Sequence, residues 1–304
     1  MIDVALVGTG GMMPLPNRFL SSMLCRIEGS MILFDCGEGT QVSLRLLGWG
    51  FKNIDIICFT HFHGDHISGL PGLLLTMANA ERTMPLKLFG PTGLKNIVKS
   101  LCVIANDLPF PIEFYELDKG KEHLYNQDTI TLKTLPLNHR APCFAYSLEL
   151  GRRGKFDPER AKAQNIPLKL WGPLQKQNDA SIVYEGITYT SDMVLGETRK
   201  GLKVVFCTDT RPVKNLPQFA HGADLFICEG LYGDNQEKAA AHKHMSFSEA
   251  AEIAKKAMVN EMWLTHFSPA MPDPYNYLNH ATEIFSNTKV GKDRKTKTLR
   301  FEEG

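Results

Sequence analysis

Residues 60 to 66 read Thr60-His61-Phe62-His63-Gly64-Asp65-His66, directly after the apolar run Ile54–Phe59. No other stretch restricts the fold as much. Four side chains ending in imidazole nitrogen or carboxylate oxygen, donors that zinc takes readily, fall within six positions. In an extended segment His61 and His63 point the same way and can share one ion. Asp65 and His66 lie past Gly64, where a turn can direct them to a second. A strand running into such a cluster holds ligands on a rigid element that faces an open rim.

One short cluster leaves each ion short of ligands, so further His and Asp residues are expected after other strands. Three fit: His139 closes Thr129–Asn138, Asp209 closes Val204–Thr208, and His266 closes Met262–Thr265. Each is polar at the end of an apolar run, where a core position would carry a hydrophobic residue.

Short β-rich runs recur along the chain, at Val4–Val7, Met23–Ile27, Met31–Phe34, Ile54–Phe59, Leu86–Phe89, Thr129–Leu135, Ala145–Leu150, Val204–Cys207, Leu225–Cys228 and Met262–Leu264. Helical patterns lie between some of them, at Thr40–Leu47, Gly93–Ile104 and Ser246–Met258, the last with Ser246 as its N-cap. Hairpin-like strands first, then strands mixed with helices, predict an α/β fold of sheets covered by helices. Gly8-Thr9-Gly10-Gly11 follows the first strand, but the third glycine of a dinucleotide-binding turn would fall at Met13. A tight turn at the rim of the site is the better reading, and no nucleotide cofactor is expected.

The formal net charge is only +1, so contact with nucleic acid requires a local patch. Residues 151 to about 201 supply a candidate. Between Glu149 and Lys176 stand seven cations (Arg152, Arg153, Lys155, Arg160, Lys162, Lys169, Lys176) against three acids. A protruding basic arm inserted in a single domain of residues 1–304 is the natural reading, with a solvated loop as the alternative. The basic run Lys289–Arg300 reads either as a soluble tail or as a further phosphate contact. Seven scattered cysteines, none in a CxxC pair, read as reduced core residues of a cytoplasmic protein. The acidic Asp3 within an otherwise apolar start argues against a signal peptide, and no segment is apolar enough to span a membrane.

His-x-His-x-Asp-His followed by His, Asp and His after successive strands resembles the metallo-β-lactamase superfamily, whose fold is an αββα sandwich. Within it the chain is most similar to the ribonuclease Z family, which removes 3′ trailers from precursor tRNA. The resemblance covers nearly the whole chain. It rests on Phe34-Asp35-Cys36-Gly37-Glu38-Gly39-Thr40-Gln41, the run His61–Pro71, Gly90-Pro91, the arm segment Lys155–Ala163, Asp209-Thr210-Arg211 and Leu264-Thr265-His266.

This resemblance implies two zinc ions, or manganese in their place: one on His61, His63 and His139, the other on Asp65, His66 and His266, with Asp209 bridging. It implies Asp65 as the group that orients and deprotonates the attacking water, and His244 paired with Glu229 as proton donor to the leaving 3′ oxygen. It further implies a homodimer whose arm grips precursor tRNA, making Arg152, Arg153, Lys155, Arg160, Lys162 and Lys169 candidate RNA contacts. Arg18 joins them from Pro14-Leu15-Pro16-Asn17-Arg18-Phe19, which stands where the family has Pro-x-Lys-x-Arg-Asn, the loop that senses CCA. Other departures are Cys228-Glu229-Gly230 for His-Glu-Ala, His244-Met245-Ser246 for His-Ser-Thr, and Leu168–Pro173 for the usual Gly-Pro of the arm. Two other readings compete: a small-molecule phosphodiesterase, arylsulfatase or lactonase of the same fold, and a non-catalytic RNA-binding module. His242, His123, His221 and His280 are expected at the surface.

Overall fold

The computed structural model describes residues 1–176 and 181–302. Two seven-stranded sheets form its centre. In spatial order the first contains Thr296–Leu299, Ile2–Gly8, Ser22–Ile27, Ser30–Phe34, Ile54–Cys58, Leu86–Pro91 and Ile112–Leu117. The second contains Thr288–Val290, Met262–Thr265, Leu225–Glu229, Arg199–Cys207, Phe144–Arg152, Ile130–Pro136 and Leu124–Gln127. Alternate residues of the two inner faces, among them Val4, Leu6, Phe34, Tyr146, Phe206 and Trp263, interlock as one buried cluster. The outer face of the first sheet is covered by helices Thr40–Leu47, Leu70–Asn79 and Leu94–Leu101. Helix Phe247–Ala257 covers the second, with Phe247, Ala250, Ala251, Ile253 and Ala254 on its buried face. The result is the expected αββα sandwich.

Ser246 starts that helix as predicted: its side chain accepts from the Glu249 N–H while Glu249 reaches back to the Ser246 N–H. Such a reciprocal cap contributes about 1 kcal/mol and fixes where the chain turns after His244.

Strand register decides where the site lies. Phe34 pairs in parallel with Cys58, Cys207 with Cys228, and Glu229 with Thr265. The strands therefore end at one level, and the residues just beyond them (Asp35, His61, Asp209, His266) emerge along a common edge.

One expectation is corrected. Lys289–Arg300 is no tail: it contains two strands, Lys289 and Lys297 both pair with Glu261, and Lys295 lies 4.7 Å over the Trp263 ring. Burial holds Lys295 down to about 8. The arm region is not a bare loop. Helices Pro158–Ala163 and Leu168–Lys176 and the hairpin Ser181–Tyr184/Ile187–Thr190 enclose a small core of Ala161, Ile166, Leu170, Leu174, Tyr189 and Val194. Arg152 pairs with Arg199 at its root. Part of the predicted arm, residues 177–180, lies outside the described residues. All seven cysteines are buried and free.

Candidate metal centre

His61 is fully buried at the end of the strand Ile54–Cys58, and the short helix Gly64–Ile67 carries Asp65 and His66 round to face it. His61 Nε2 lies 3.0 Å from His63 Nδ1, which lies 3.3 Å from His139 Nε2. Asp209 Oδ2 approaches His61 and His139 at 3.7 and 3.8 Å. Its other oxygen, Oδ1, lies 3.3 Å from His66 Nε2 and 3.2 Å from His266 Nε2, which are themselves 3.1 Å apart. Asp65 Oδ2 completes this second group, 3.3 Å from His266 Nε2. All seven residues singled out in the sequence converge.

The donors fit a pair of cations. Four atoms about 2.1 Å from a tetrahedral ion are about 3.4 Å from one another, close to the spacings observed. His66 Nε2 and His266 Nε2 face each other at 3.1 Å; with His66 Nδ1 donating to Asp35, a neutral His66 presents a lone pair there, which a cation would satisfy. Asp209 Oδ1 is buried and makes no hydrogen bond. Outer partners set the rings: His66 Nδ1 meets Asp35 at 2.7 Å, His61 Nδ1 meets Thr60 at 3.1 Å, and His139 Nδ1 meets the Lys243 carbonyl at 3.2 Å. Each contact leaves Nε2 as the ligand atom.

The charges agree. Burial first, then neighbouring His66, hold His61 well below the usual imidazole range, and burial brings His139 to about 4. Burial opposes ionisation of Asp209, but His266, His66 and His61 outweigh it and keep the carboxyl well below the ordinary range. Neutral imidazole and ionised carboxylate are the forms that bind metal. Burial also opposes charge on His66, yet Asp209 and Asp35 on either side raise it well above its ordinary value. Two carboxylates call for one positive charge between them, and a proton or a metal ion can supply it.

The scaffold is strained at these positions. Asp35, Asp209 and His266 have φ of 56°, 49° and 58°, which costs non-glycine residues about 1–3 kcal/mol each. Gly11 lies so near His266 that a Cβ there would be 2.7 Å from the ring. The expected rim turn is in place, with the neighbouring Met12 N–H donating to Asp65 Oδ2 at 2.7 Å.

His244 stands beside this group. Its Nδ1 is 2.9 Å from Glu229 Oε2 and 3.9 Å from Asp209 Oδ2. The other Glu229 oxygen accepts from the Thr210 N–H. Burial lowers the proton affinity of His244, but the Glu229 carboxylate more than offsets this and raises it above the ordinary value.

Family models match in succession: one described as anti-Pycsar protein Apyc1 over residues 2–154, and a β-lactamase superfamily domain over 180–267. Ribonuclease Z of Clostridium acetobutylicum is 50% identical over 99% of both chains, and that of Agathobacter rectalis 50% over the full length of both. The chain belongs to the ribonuclease Z family. The crystal structure of human tRNase Z, short form, superposes with a TM-score of 0.72 at 25% identity, covering 98% of this chain and all of that one. Metallo-β-lactamase fold protein YhfI from Bacillus subtilis, 18% identical with a TM-score of 0.69, shares the fold.

Against this ribonuclease Z frame, two residues emerge that sequence reasoning gave no role. Asp35 is fully buried against His66 and Thr60. Arg211 bonds both oxygens of Glu249 and the His244 carbonyl, while its own N–H donates to the Asn138 carbonyl beside His139. Both stood inside quoted motifs, Asp35 in Phe34–Gln41 and Arg211 in Asp209-Thr210-Arg211, but no local signal separates a buried carboxylate or a clamp from a surface charge.

The candidate RNA contacts are more varied than predicted. Arg18 turns inward: its guanidinium donates to the carbonyls of Met271 at 2.8 Å and Pro272 at 2.7 Å and lies over Phe267, bracing the loop after His266. Arg152 donates to the Glu302 carbonyl and packs on Phe301, and Arg153 donates to the Gln175 carbonyl. Lys155 is exposed. Arg160 is exposed, Lys162 pairs with Glu159, and Lys169 lies 3.7 Å over the Tyr184 ring. A cavity of about 560 Å³ lies at the arm's root, lined by Arg152, Arg153, Arg160, Asp192 and Glu197 among others and by no histidine.

Proposed function

We propose that the protein is a metal-dependent endoribonuclease that removes 3′ trailers from precursor tRNA, holding two zinc ions on the seven converging ligands. The observation that carries this reading is the division of Asp209, with one oxygen toward His61 and His139 and the other toward His66 and His266. His61, His63 and His139 would hold one ion and Asp65, His66 and His266 the other, with Asp209 shared between them. A metal pair held by these residues would offset charge on the phosphoryl oxygens and bring the pKa of water to roughly 7.

The remaining steps belong to the chain. Asp65, steadied by the Met12 N–H, orients the attacking water and takes its proton as oxygen adds to phosphorus. The bond from phosphorus to the ribose 3′ oxygen breaks, and His244 gives that oxygen a proton. Glu229 keeps His244 protonated and aimed, and the Thr210 N–H keeps Glu229 in place. The products are a 3′-hydroxyl on the tRNA and a 5′-phosphate on the trailer. Acid–base groups of this kind contribute about 10²–10⁴-fold.

Residues 151–201, inserted in the single domain 1–304, serve in this reading as an exosite that grips tRNA by shape and phosphate contacts. The small core within it supports a preformed gripping unit. A homodimer fits the exposed Val42, Leu46 and Leu75 on adjoining helices, an apolar face open to a second copy. Among the described residues no helix is long and apolar enough to cross a membrane.

The test is incubation of the zinc-loaded protein with precursor tRNAs, with and without encoded CCA, followed by sizing and end analysis. A single internal cut leaving a 3′-hydroxyl is expected. Hydrolysis of small phosphodiesters with no cut in any precursor would overturn the reading.

A further inference from the structure

Tyr232 lies next to His244, with ring centroids 5.9 Å apart at 70°, and His242 lies 5.8 Å from Tyr232, tilted by 31°. Cations surround the pair. Arg140, which follows the ligand His139, donates to the Ala241 carbonyl and lies 3.3 Å from His242 Nδ1. Lys238 holds its ammonium 5.1 Å over the Tyr232 ring, and Lys243 bonds Asn138 at 3.2 Å. His242, Arg140 and Lys238 are exposed; among the described residues Arg140, Lys238 and Lys243 contact carbonyl oxygens or an aromatic ring rather than a carboxylate. Lys238 gains from the Tyr232 face and Arg140 from the helix end at Ala241, but neither charge is neutralised, which leaves both open to an anion.

A single-stranded ribonucleotide would gain from all of it. Unstacked bases settle on aromatic faces, and arginine and lysine take the adjoining phosphates. We propose that Tyr232 and His242 form a stacking platform for the nucleotide that keeps the 3′-hydroxyl, with Arg140 and Lys238 on its phosphates. The side of the cut follows from His244: it protonates the ribose 3′ oxygen, so a platform touching it lies against that nucleotide. The exposed Lys238 covers the ring face that the base would take, and its flexible stem lets it move to a phosphate. This inference rests on the endoribonuclease reading and adds to it the group that reads the end of the mature tRNA.

The test compares wild type, Tyr232→Ala and the surface variant His242→Ala on two precursor tRNAs, one intact and one abasic at the nucleotide before the cut. On the intact precursor each variant should lose about fivefold to 100-fold in kcat/KM. On the abasic precursor the wild type should fall by a similar factor, and the variants should lose little more. Arg140→Ala should reduce the salt slope by about one. Equal losses on both substrates, or none on either, would overturn the platform. If the wild type cuts neither precursor while hydrolysing bis(p-nitrophenyl) phosphate, the endoribonuclease reading fails first and takes the platform with it.

Discussion

His66 and Asp35 are both fully buried, and His66 Nδ1 lies 2.7 Å from Asp35 Oδ2. Because Asp35 also accepts from the Thr60 N–H and hydroxyl, it ties the first ligand-bearing segment to the end of the neighbouring strand. Among the described residues the other partner of His66 Nδ1 is the Thr60 hydroxyl, at a longer 3.4 Å. Asp35→Asn should therefore lower metal affinity by about 10- to 100-fold, read as metal retained after dialysis against graded chelator. Wild-type retention would show that the ring is held by packing alone.

Asp209 differs from the histidines in facing both groups. Asp209→Ala should leave neither ion tightly bound, whereas His139→Ala should empty only one position. Metal content by elemental analysis separates the two, and equal stoichiometry in both variants would count against bridging. Metal that binds only the folded chain stabilises it by mass action, about 2.7 kcal/mol at 100 times Kd. Chelation should accordingly lower the Tm of wild type more than that of Asp209→Ala.

His244→Ala should slow cleavage of precursor tRNA by about 10²–10⁴-fold while metal content stays at the wild-type level. Glu229→Gln should follow it in direction, because an amide still accepts from Thr210 but cannot hold His244 charged. A normal rate for His244→Ala would remove His244 as proton donor.

Arg211 joins three site elements: the His244 carbonyl, the helix cap at Glu249 and the segment before His139. Arg211→Ala should lower kcat by about 10- to 100-fold through misplacement of His244, with KM little changed. Arg211→Lys should not restore it, since an ammonium cannot make the forked contact with Glu249. A loss confined to Tm would make Arg211 a stabilising residue only.

Arg152 and Arg199 are strand partners, so residues 154–197 can be replaced by a short turn with the sheet left closed. The shortened protein should show a much higher KM for precursor tRNA and a shallower salt dependence, by about one unit for each phosphate contact removed. Hydrolysis of bis(p-nitrophenyl) phosphate should survive. Parallel loss on both substrates would deny the arm a role in gripping RNA.

The residues that converge at the candidate site were legible in the sequence because their signals are local. A histidine cluster after an apolar run, and single His or Asp residues closing others, are defined by strand ends, and strand ends are set by short-range alternation. The helix start at Ser246 was legible for the same reason. What the sequence left open depends on contacts across hundreds of residues. That His66 meets His266, that Asp209 turns one oxygen to each group, and that Arg18 bends inward to Met271 and Pro272 all follow from strand register and from how two sheets pack. A charge run looks alike whether its members face water or, as with Lys289 and Lys297 on Glu261, close a sheet edge. Position along the chain fixes chemical type and local direction; only packing fixes which groups share a point in space, and coordination depends on that.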